Sequence, residues 1–390
     1  MNARLKILQV TPWFHPSTRY GGIVETAYQL SRHAAAAGAA VRVLTTDADG
    51  PQSLSRDEMI SIARAGNFEV TCCHRVARQS VSPGMLRRLA SEARWADVIH
   101  LHAAYSFPTL PTMLAARLAG RPLVWMPHGA LQRWSGTRRR SFKAIWESAC
   151  KAAAPANLVI HVTSADEARQ SQSRFPGATA AIIPNGVEIP ASIPARARAA
   201  QLRLGYMGRL NEIKAIDNLI AACGLIRERA RVPFELRIAG TGEPAYEEFL
   251  RQKINALGIA NQVTLAGEIR GAAKSDFFAR SDVIVLPSHT ENFGIVVAEA
   301  LAHGLPVIAS RGTPWQELAT RACGLWVAND PQSLAGAIER IASMPLEEMG
   351  ENGRRWMSER YSWQRVTDDL FDLYNRMITR SPGVTLAVAD

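Results

Sequence analysis

Ser288-His289-Thr290-Glu291-Asn292-Phe293-Gly294-Ile295-Val296-Val297-Ala298-Glu299-Ala300 follows directly on the apolar run Val283–Leu286 and Pro287. A short apolar run ended by proline reads as a buried strand, and the residues from Phe293 carry helical spacing. Glu291 then lies in the loop and Glu299 on the second turn of the helix. The backbone N–H groups of Phe293, Gly294 and Ile295 stand at the helix start, where no helical carbonyl reaches them. Such donors bind phosphate, and Gly294 lets a ligand approach closely; the backbone from Phe293 through Ile295 to Val296 is the candidate contact. A carboxylate accepts hydrogen bonds from two hydroxyls at once, which suits a sugar. On spacing alone, a Glu291 beside an N-cap and a Glu299 on the surface explain the stretch equally well.

A second strand-to-helix junction stands about eighty residues earlier: Gly208-Arg209-Leu210-Asn211-Glu212-Ile213-Lys214. Two cations at a helix start sit unfavourably beside the helix dipole unless an anion joins them. Arg209 offers a planar fork and Lys214 a point charge, a combination that clamps a diphosphate and stabilises it as it leaves.

Outward from these motifs, strands and helices alternate. In the second half, Leu202–Met207, Phe234–Ala239, Val263–Leu265, Val307–Ala309 and Gly324–Val327 join Val283–Leu286 as strands. In the first half, Leu5–Val10, Val41–Thr46, Val98–Leu101, Leu123–Met126 and Leu158–Thr163 do the same, with helices over Ile23–Ala37 and Pro108–Ala119 and one capped by Ser164. Short apolar strands between helices imply parallel sheets covered on both faces. The pattern breaks after Ile182-Ile183-Pro184-Asn185-Gly186-Val187, and the Pro, Ala and Arg-rich stretch Ile189–Ala200 reads as a linker. The expectation is an α/β chain of two Rossmann-like doubly wound domains facing a central cleft. They span 1–185 and 186–362, and a last helix within 363–390 packs back on the first.

The 390 residues are 47% apolar and 21% charged, which is ordinary for a globular chain. No run of eighteen apolar residues and no secretion signal is evident, and Cys72, Cys73, Cys150, Cys223 and Cys323 lack metal-site spacing. Free thiols in a cytoplasmic protein are the expectation. The net charge of +10 is uneven: 22 Lys and Arg face 11 Asp and Glu up to Asn185, and 23 face 24 beyond it. The excess clusters at Arg133, Arg138, Arg139, Arg140, Lys143 and Lys151, among Trp134, Phe142, Ile145 and Trp146. No nucleic-acid recognition pattern accompanies it. A solvated basic face and peripheral contact with an anionic membrane surface are even alternatives.

Gly-Arg-Leu…Lys and Glu-x7-Glu in this order, preceded by Ile182–Val187, resemble the motifs of glycosyltransferase family 4, retaining enzymes of the GT-B fold. In the first half Gly21-Gly22, Asp97–His102 and Pro127-His128-Gly129 sit where that family has related motifs. The resemblance implies that Gly208, Arg209 and Lys214 hold the donor diphosphate, Glu291 the donor sugar and Glu299 the nucleotide ribose. It places Gly22 at a loop closing on the diphosphate, Gly21 at the acceptor, and His128 near the reacting sugar. Family members often have glycine after the lysine; Ala215 stands there in this chain.

Other motifs remain open. His128 before Gly129 also fits a loop cap. His100 and His102 alternate on a strand end and point the same way. His102 is the candidate for the acceptor and His100 the structural one, since no third metal ligand accompanies them. Asp47-Ala48-Asp49 mimics the metal site of the other large glycosyltransferase fold but is common in turns. Gly240-Thr241-Gly242 mimics half a dinucleotide fingerprint, and the resemblance puts it at the donor nucleotide instead. No metal and no cofactor are expected. The activity implied is same-face transfer of a hexosyl group from a UDP- or GDP-sugar to an acceptor hydroxyl. The basic, aromatic-bearing first half fits a lipid-linked glycan at the inner face of the cytoplasmic membrane, in exopolysaccharide or lipopolysaccharide assembly, and a soluble small acceptor stays open. Alternatives are a sugar-nucleotide epimerase of the same fold and a non-enzymatic protein of anionic surfaces.

Overall fold

The structure, a computed structural model, describes residues 4–17, 20–132, 140–193 and 200–379. The chain divides into two compact units, Met1–Gly186 with Trp363–Asp390, and Val187–Ser362.

The first unit runs β1 (Lys6–Val10), α1 (Gly22–Ala36), β2 (Ala40–Thr46), the two-residue β3 (Ala48–Asp49) and β4 (Gln52–Ser53), α2 (Arg56–Gly66), β5 (Glu69–Cys73), α3 (Pro83–Trp95), β6 (Val98–His102), α4 (Thr109–Ala119), β7 (Leu123–Met126), α5 (Arg140–Ala153), β8 (Leu158–Val162), α6 (Ala165–Arg174) and β9 (Thr179–Ile182). Seven strands form a parallel sheet in the order β5-β2-β1-β6-β7-β8-β9. Strand side chains alternate between its faces. Ile7, Val98, Val124 and Val159 pack with Ala27 and Leu30 of α1, while Leu8, Ile99, Trp125 and Ile160 pack with Met85 and Leu89 of α3. Ser82 caps α3 by accepting from the Met85 N–H, and Ser164 caps α6 as its position in the sequence predicts.

The second unit runs β10 (Leu202–Met207), α7 (Ile216–Arg229), β11 (Phe234–Ala239), α8 (Pro244–Ala256), β12 (Val263–Gly267), α9 (Ala272–Ala279), β13 (Val283–Leu286), α10 (Ile295–Ala302), β14 (Val307–Ser310), β15 (Gly324–Val327), α11 (Pro331–Ile341) and α12 (Leu346–Trp356). Its six parallel strands are ordered β12-β11-β10-β13-β14-β15. All six expected strands are present, so both halves are doubly wound α/β units as read from the sequence.

The last helix, α13 (Trp363–Thr379), belongs to the first unit. Trp363, Val366, Leu370, Leu373, Tyr374 and Met377 recur at helical spacing and complete the core on the α1 face. Trp363 stacks on His33 of α1 and leaves no room at Gly186, where a Cβ would come within 2.3 Å of the indole.

In the first unit the sequence reading missed β5, β9, α2, α3 and α5, and the two-residue β3 and β4. It also placed the linker late: the units meet at Gly186–Val187, and Ile189 already packs on the second core. Residues 194–199 lie outside the described residues.

Candidate active site

In the second unit β10 and β13 are neighbours, so the loops leaving their C-terminal ends meet. The His289 N–H donates to the Ile213 carbonyl at 2.8 Å and ties the two loops together. Lys214 and Glu291 form an ion pair across this junction. The same carboxylate oxygen accepts from the Ser288 hydroxyl at 2.8 Å. Below them Tyr206 is fully buried and donates to the Arg209 carbonyl at 3.1 Å. Burial, then the Glu291 charge, push its phenol well above the ordinary value, so it stays a donor. Arg209 is exposed, and its guanidinium pairs with nothing among the described residues.

Glu291 is fixed further by its own N–H, which donates to the Gly312 carbonyl at 2.9 Å. Gly294 precedes α10 in the left-handed conformation (φ 75°), held beside Trp315, whose indole donates to the Phe293 carbonyl at 2.5 Å. Among the described residues, the N–H groups of Phe293, Gly294 and Ile295 find no backbone acceptor. Ile295 is half-buried, and the Val296 side chain faces the core. Glu299 on the second turn of α10 pairs with Lys274 of α9 at 2.5 Å.

Three of the glycines expected at the donor, Gly208, Gly240 and Gly242, have reasons inside the chain. Gly208 and Leu210 run alongside Ala239–Gly242, donating to Ala239 and Thr241 at 3.0 and 2.9 Å. A Cβ at Gly240 would stand 1.8 Å from the Gly208 carbonyl oxygen, and one at Gly242 1.9 Å from that of Leu210. The Gly242 N–H is taken by Glu247 at 2.8 Å. Backbone approach therefore accounts for Gly240 and Gly242 without a ligand. Gly22 differs: nothing lies within 4 Å of a Cβ built there, and it starts α1 just after Gly21, which adopts φ 72°.

In the first unit the strand ends carry a histidine cluster. His128 follows β7 in the left-handed conformation (φ 53°). Buried Glu167 holds that turn, accepting from the Gly129 N–H at 2.7 Å and the Thr163 N–H at 2.8 Å. His128 keeps a partly exposed edge, and its Nε2 meets Nδ1 of His102 at 3.0 Å. His102 is fully buried, and its Nε2 meets Gln9 Oε1 at 2.7 Å. Both its ring nitrogens are engaged within the unit. The expectation that His102 faces an acceptor is thereby corrected: it lies beneath His128. His100, stacked on His102 at 4.7 Å, bonds Tyr374 at 2.6 Å. His161 contacts His100 at 3.4 Å and the Ile183 carbonyl at 2.9 Å. Burial pushes His100, His102 and His128 well below the ordinary imidazole value, and His161 down to about 4.

Asp47 and Asp49 are occupied locally. Asp47 bonds His74 at 2.7 Å and the Arg75 N–H at 2.9 Å, and Asp49 accepts from Ser17 at 2.8 Å. The five cysteines are free thiols. On α5, Phe142 and Ile145 are exposed, whereas Trp146 turns inward and donates to the Ala104 carbonyl at 2.8 Å. Lys143 lies over the Tyr105 ring at 4.7 Å. Arg133, Trp134, Arg138 and Arg139 of the expected basic cluster lie outside the described residues. A cavity of about 1650 Å³ in the second unit is lined by Leu202, Pro233 and Asp282, at the opposite ends of the strands, and none of the candidate residues borders it.

Four contributors escaped sequence reading. Lys274 sits 25 residues from Glu299 with no motif around it. Ser288 lies inside the quoted stretch but resembles any loop serine. Gln9 had a signal, a lone polar residue in the apolar strand Ile7–Val10. So did His161, inside the strand read at Leu158–Thr163.

Comparison with known proteins bears on the family and the fold. Residues 20–189 match the family model described as Glycosyltransferase Family 4, and residues 195–356 the one described as Glycosyl transferases group 1. D-inositol 3-phosphate glycosyltransferase of Saccharomonospora viridis is 27% identical, over 99% of this chain and 97% of its own. Among solved structures, sucrose-phosphate synthase from Thermosynechococcus elongatus shares the fold with a TM-score of 0.75 at 21% identity, covering 97% of this chain and all of its own. Anabaena HepE in complex with UDP does so with a TM-score of 0.74 at 18% identity, covering 96% and 100%. Two doubly wound units of the GT-B type, each matched by its own model, make the chain a member of glycosyltransferase family 4, a glycosyltransferase that uses a nucleotide sugar.

Proposed function

We propose that the chain transfers a hexosyl group, with retention and without a metal, from a UDP- or GDP-sugar to an acceptor hydroxyl. One observation carries the reading: an unpaired guanidinium, Arg209, stands at the same strand-end junction as the Lys214–Glu291 pair and the free N–H groups before α10. Cations and amide donors together suit a diphosphate, and the leaving charge needs no ion beyond Arg209 and Lys214. Glu291 accepts from hydroxyls of the donor sugar and Glu299 from the ribose. His128 and Gly22 stand near the reacting sugar and the diphosphate, with Gly21 at the acceptor. Gly208 acts by letting its loop run close. Gly240 and Gly242 shape the neighbouring turn.

The acceptor we favour is a lipid-linked glycan at the cytoplasmic face of a membrane. Phe142 and Ile145, exposed on α5 beside Lys143, support contact with an anionic surface. The S. viridis relative, by its name, acts on a phosphorylated inositol. Among the described residues no helix is long and apolar enough to cross a membrane. Nucleic acid is no part of this reading.

The test is transfer from radiolabelled UDP- and GDP-hexoses to membrane lipid extract, with and without EDTA, with the anomeric configuration of the product read by NMR. Retained configuration and activity unchanged by EDTA are expected. An inverted product or loss with EDTA sinks the mechanism, and conversion of the donor without acceptor marks an epimerase.

A further inference from the structure

Around His128 the hydrogen bonds have a direction. An amide carbonyl only accepts, so Gln9 Oε1 at 2.7 Å requires a proton on His102 Nε2. A neutral imidazole carries one N–H, and burial pushes His102 far towards the neutral form. His102 Nδ1 is therefore a lone pair, and the His128 Nε2–H donates to it at 3.0 Å. His128, neutral for the same reason, is left with a bare Nδ1. Nothing among the described residues bonds that nitrogen, and it belongs to the partly exposed ring.

A parallel chain is anchored at a backbone carbonyl. The Ile183 carbonyl takes the His161 Nε2–H at 2.9 Å. His161 Nδ1 then accepts from His100 Nε2, and His100 Nδ1 accepts from the Tyr374 hydroxyl at 2.6 Å. Burial raises the Tyr374 phenol far above its ordinary value, which keeps it a donor. His100 and His102 stack without a hydrogen bond between them, so each chain sets its own order.

We propose that Gln9 and His102 are positioning residues that hold His128 as the Nε2–H tautomer, so that His128 Nδ1 presents a lone pair at the active site and accepts a hydrogen bond from a substrate hydroxyl. This rests on the reading that His128 stands near the reacting sugar. A lone pair there favours a hydroxyl over a phosphate oxygen, which has no proton to offer at neutral pH. Gln9, two steps from the surface, thus fixes what the exposed nitrogen can bind. A second-layer group that sets a ring's tautomer acts on turnover more than on donor affinity.

The experiment compares wild type, Gln9→Glu, Gln9→Met and His128→Ala by nitrogen-15 NMR of labelled histidine and by steady-state transfer. Wild type should show His102 and His128 each protonated at Nε2 and bare at Nδ1; a proton on His128 Nδ1 overturns the proposal with no variant needed. Gln9→Met, which cannot accept the His102 proton, should move the His128 proton to Nδ1. It should also lower kcat on the order of tenfold or more with the donor KM unchanged. Gln9→Glu still accepts and should keep the wild-type pattern. A folded Gln9→Met with unmoved resonances and full kcat refutes the relay. If instead the wild-type tautomers are as stated and His128→Ala transfers at full rate, the placement of His128 near the sugar fails while the relay stands.

Discussion

Lys214 and Glu291 hold each other across two loops of the second sheet, and Ser288 completes the carboxylate's shell. In the proposed site the lysine belongs to the diphosphate and the glutamate to the sugar, so the pair couples two parts of one donor. Glu291→Gln should leave affinity for free UDP or GDP within about twofold but weaken the sugar nucleotide by roughly tenfold, the value of one charged hydrogen bond. Calorimetric titration with both ligands checks this. Equal weakening of both would move Glu291 from the sugar to the diphosphate.

Lys274 should act through Glu299. Their side chains are 36% and 19% exposed, so the pair adds about 1 kcal/mol or less to stability. Lys274→Ala should therefore unfold within a few degrees of wild type. It should nonetheless weaken nucleoside binding, because Glu299 loses the partner that orients it. Thermal melts with and without nucleotide separate the two effects. A ligand-induced shift as large as wild type would remove Lys274 from the site.

Ala215, where family members often have glycine, occupies the left-handed conformation (φ 48°, ψ 41°) between Lys214 and α7 and is fully buried. The loop thus keeps its turn at a steric cost of about 1–2 kcal/mol for a residue with a Cβ. Ala215→Gly relieves that strain but loses a buried methyl and loosens the unfolded chain, so it should stay within about 1 kcal/mol of wild type. Ala215→Val should lose several times more, the β-branch being a genuine outlier there. Urea unfolding of both variants decides; equal losses would mean that φ is not the constraint.

Acid should weaken the first unit through its histidines. Their folded values lie below the unfolded value near 6.5, so the unfolded chain binds more protons as pH falls past that point. The stability is complete above about pH 6.5 and drains as pH drops towards the folded values, with His161, at about 4, contributing roughly 3 kcal/mol over that window. Urea melts between pH 7 and pH 4 should lose midpoint steadily, and His161→Gln should flatten the slope. A flat profile in wild type would mean that these rings titrate in the fold as they do in the unfolded chain.

Much of the architecture was written in short-range pattern. Val283–Leu286 could be bounded to the residue because it is apolar throughout and ends at Pro287, and Phe234–Ala239 because its apolar positions alternate with Glu235 and Arg237 up to Gly240. β5, Glu69–Cys73, lacked that signature, being an edge strand with an exposed glutamate at its start. The charged residues were visible as types at junctions, but their pairing was not: nothing near Lys214 points 77 residues on to Glu291. Gly240 and Gly242 show the converse, since their requirement looks like a nucleotide signature in sequence and is met by the chain's own carbonyls in space. His102 was placed on the correct face of β6, yet alternation fixes direction and not depth.

The helix α13 has a consequence for how the molecule is made. Val187–Ser362 is continuous and holds its own core, so it has all it needs once Ser362 has left the ribosome. The first unit does not. Its sheet is synthesised early, but the core on the α1 face stays incomplete, and His100 lacks its phenol partner, until Trp363–Thr379 emerges. The half translated first is the half finished last, and for the length of the whole second unit it offers chaperones an incompletely covered apolar face.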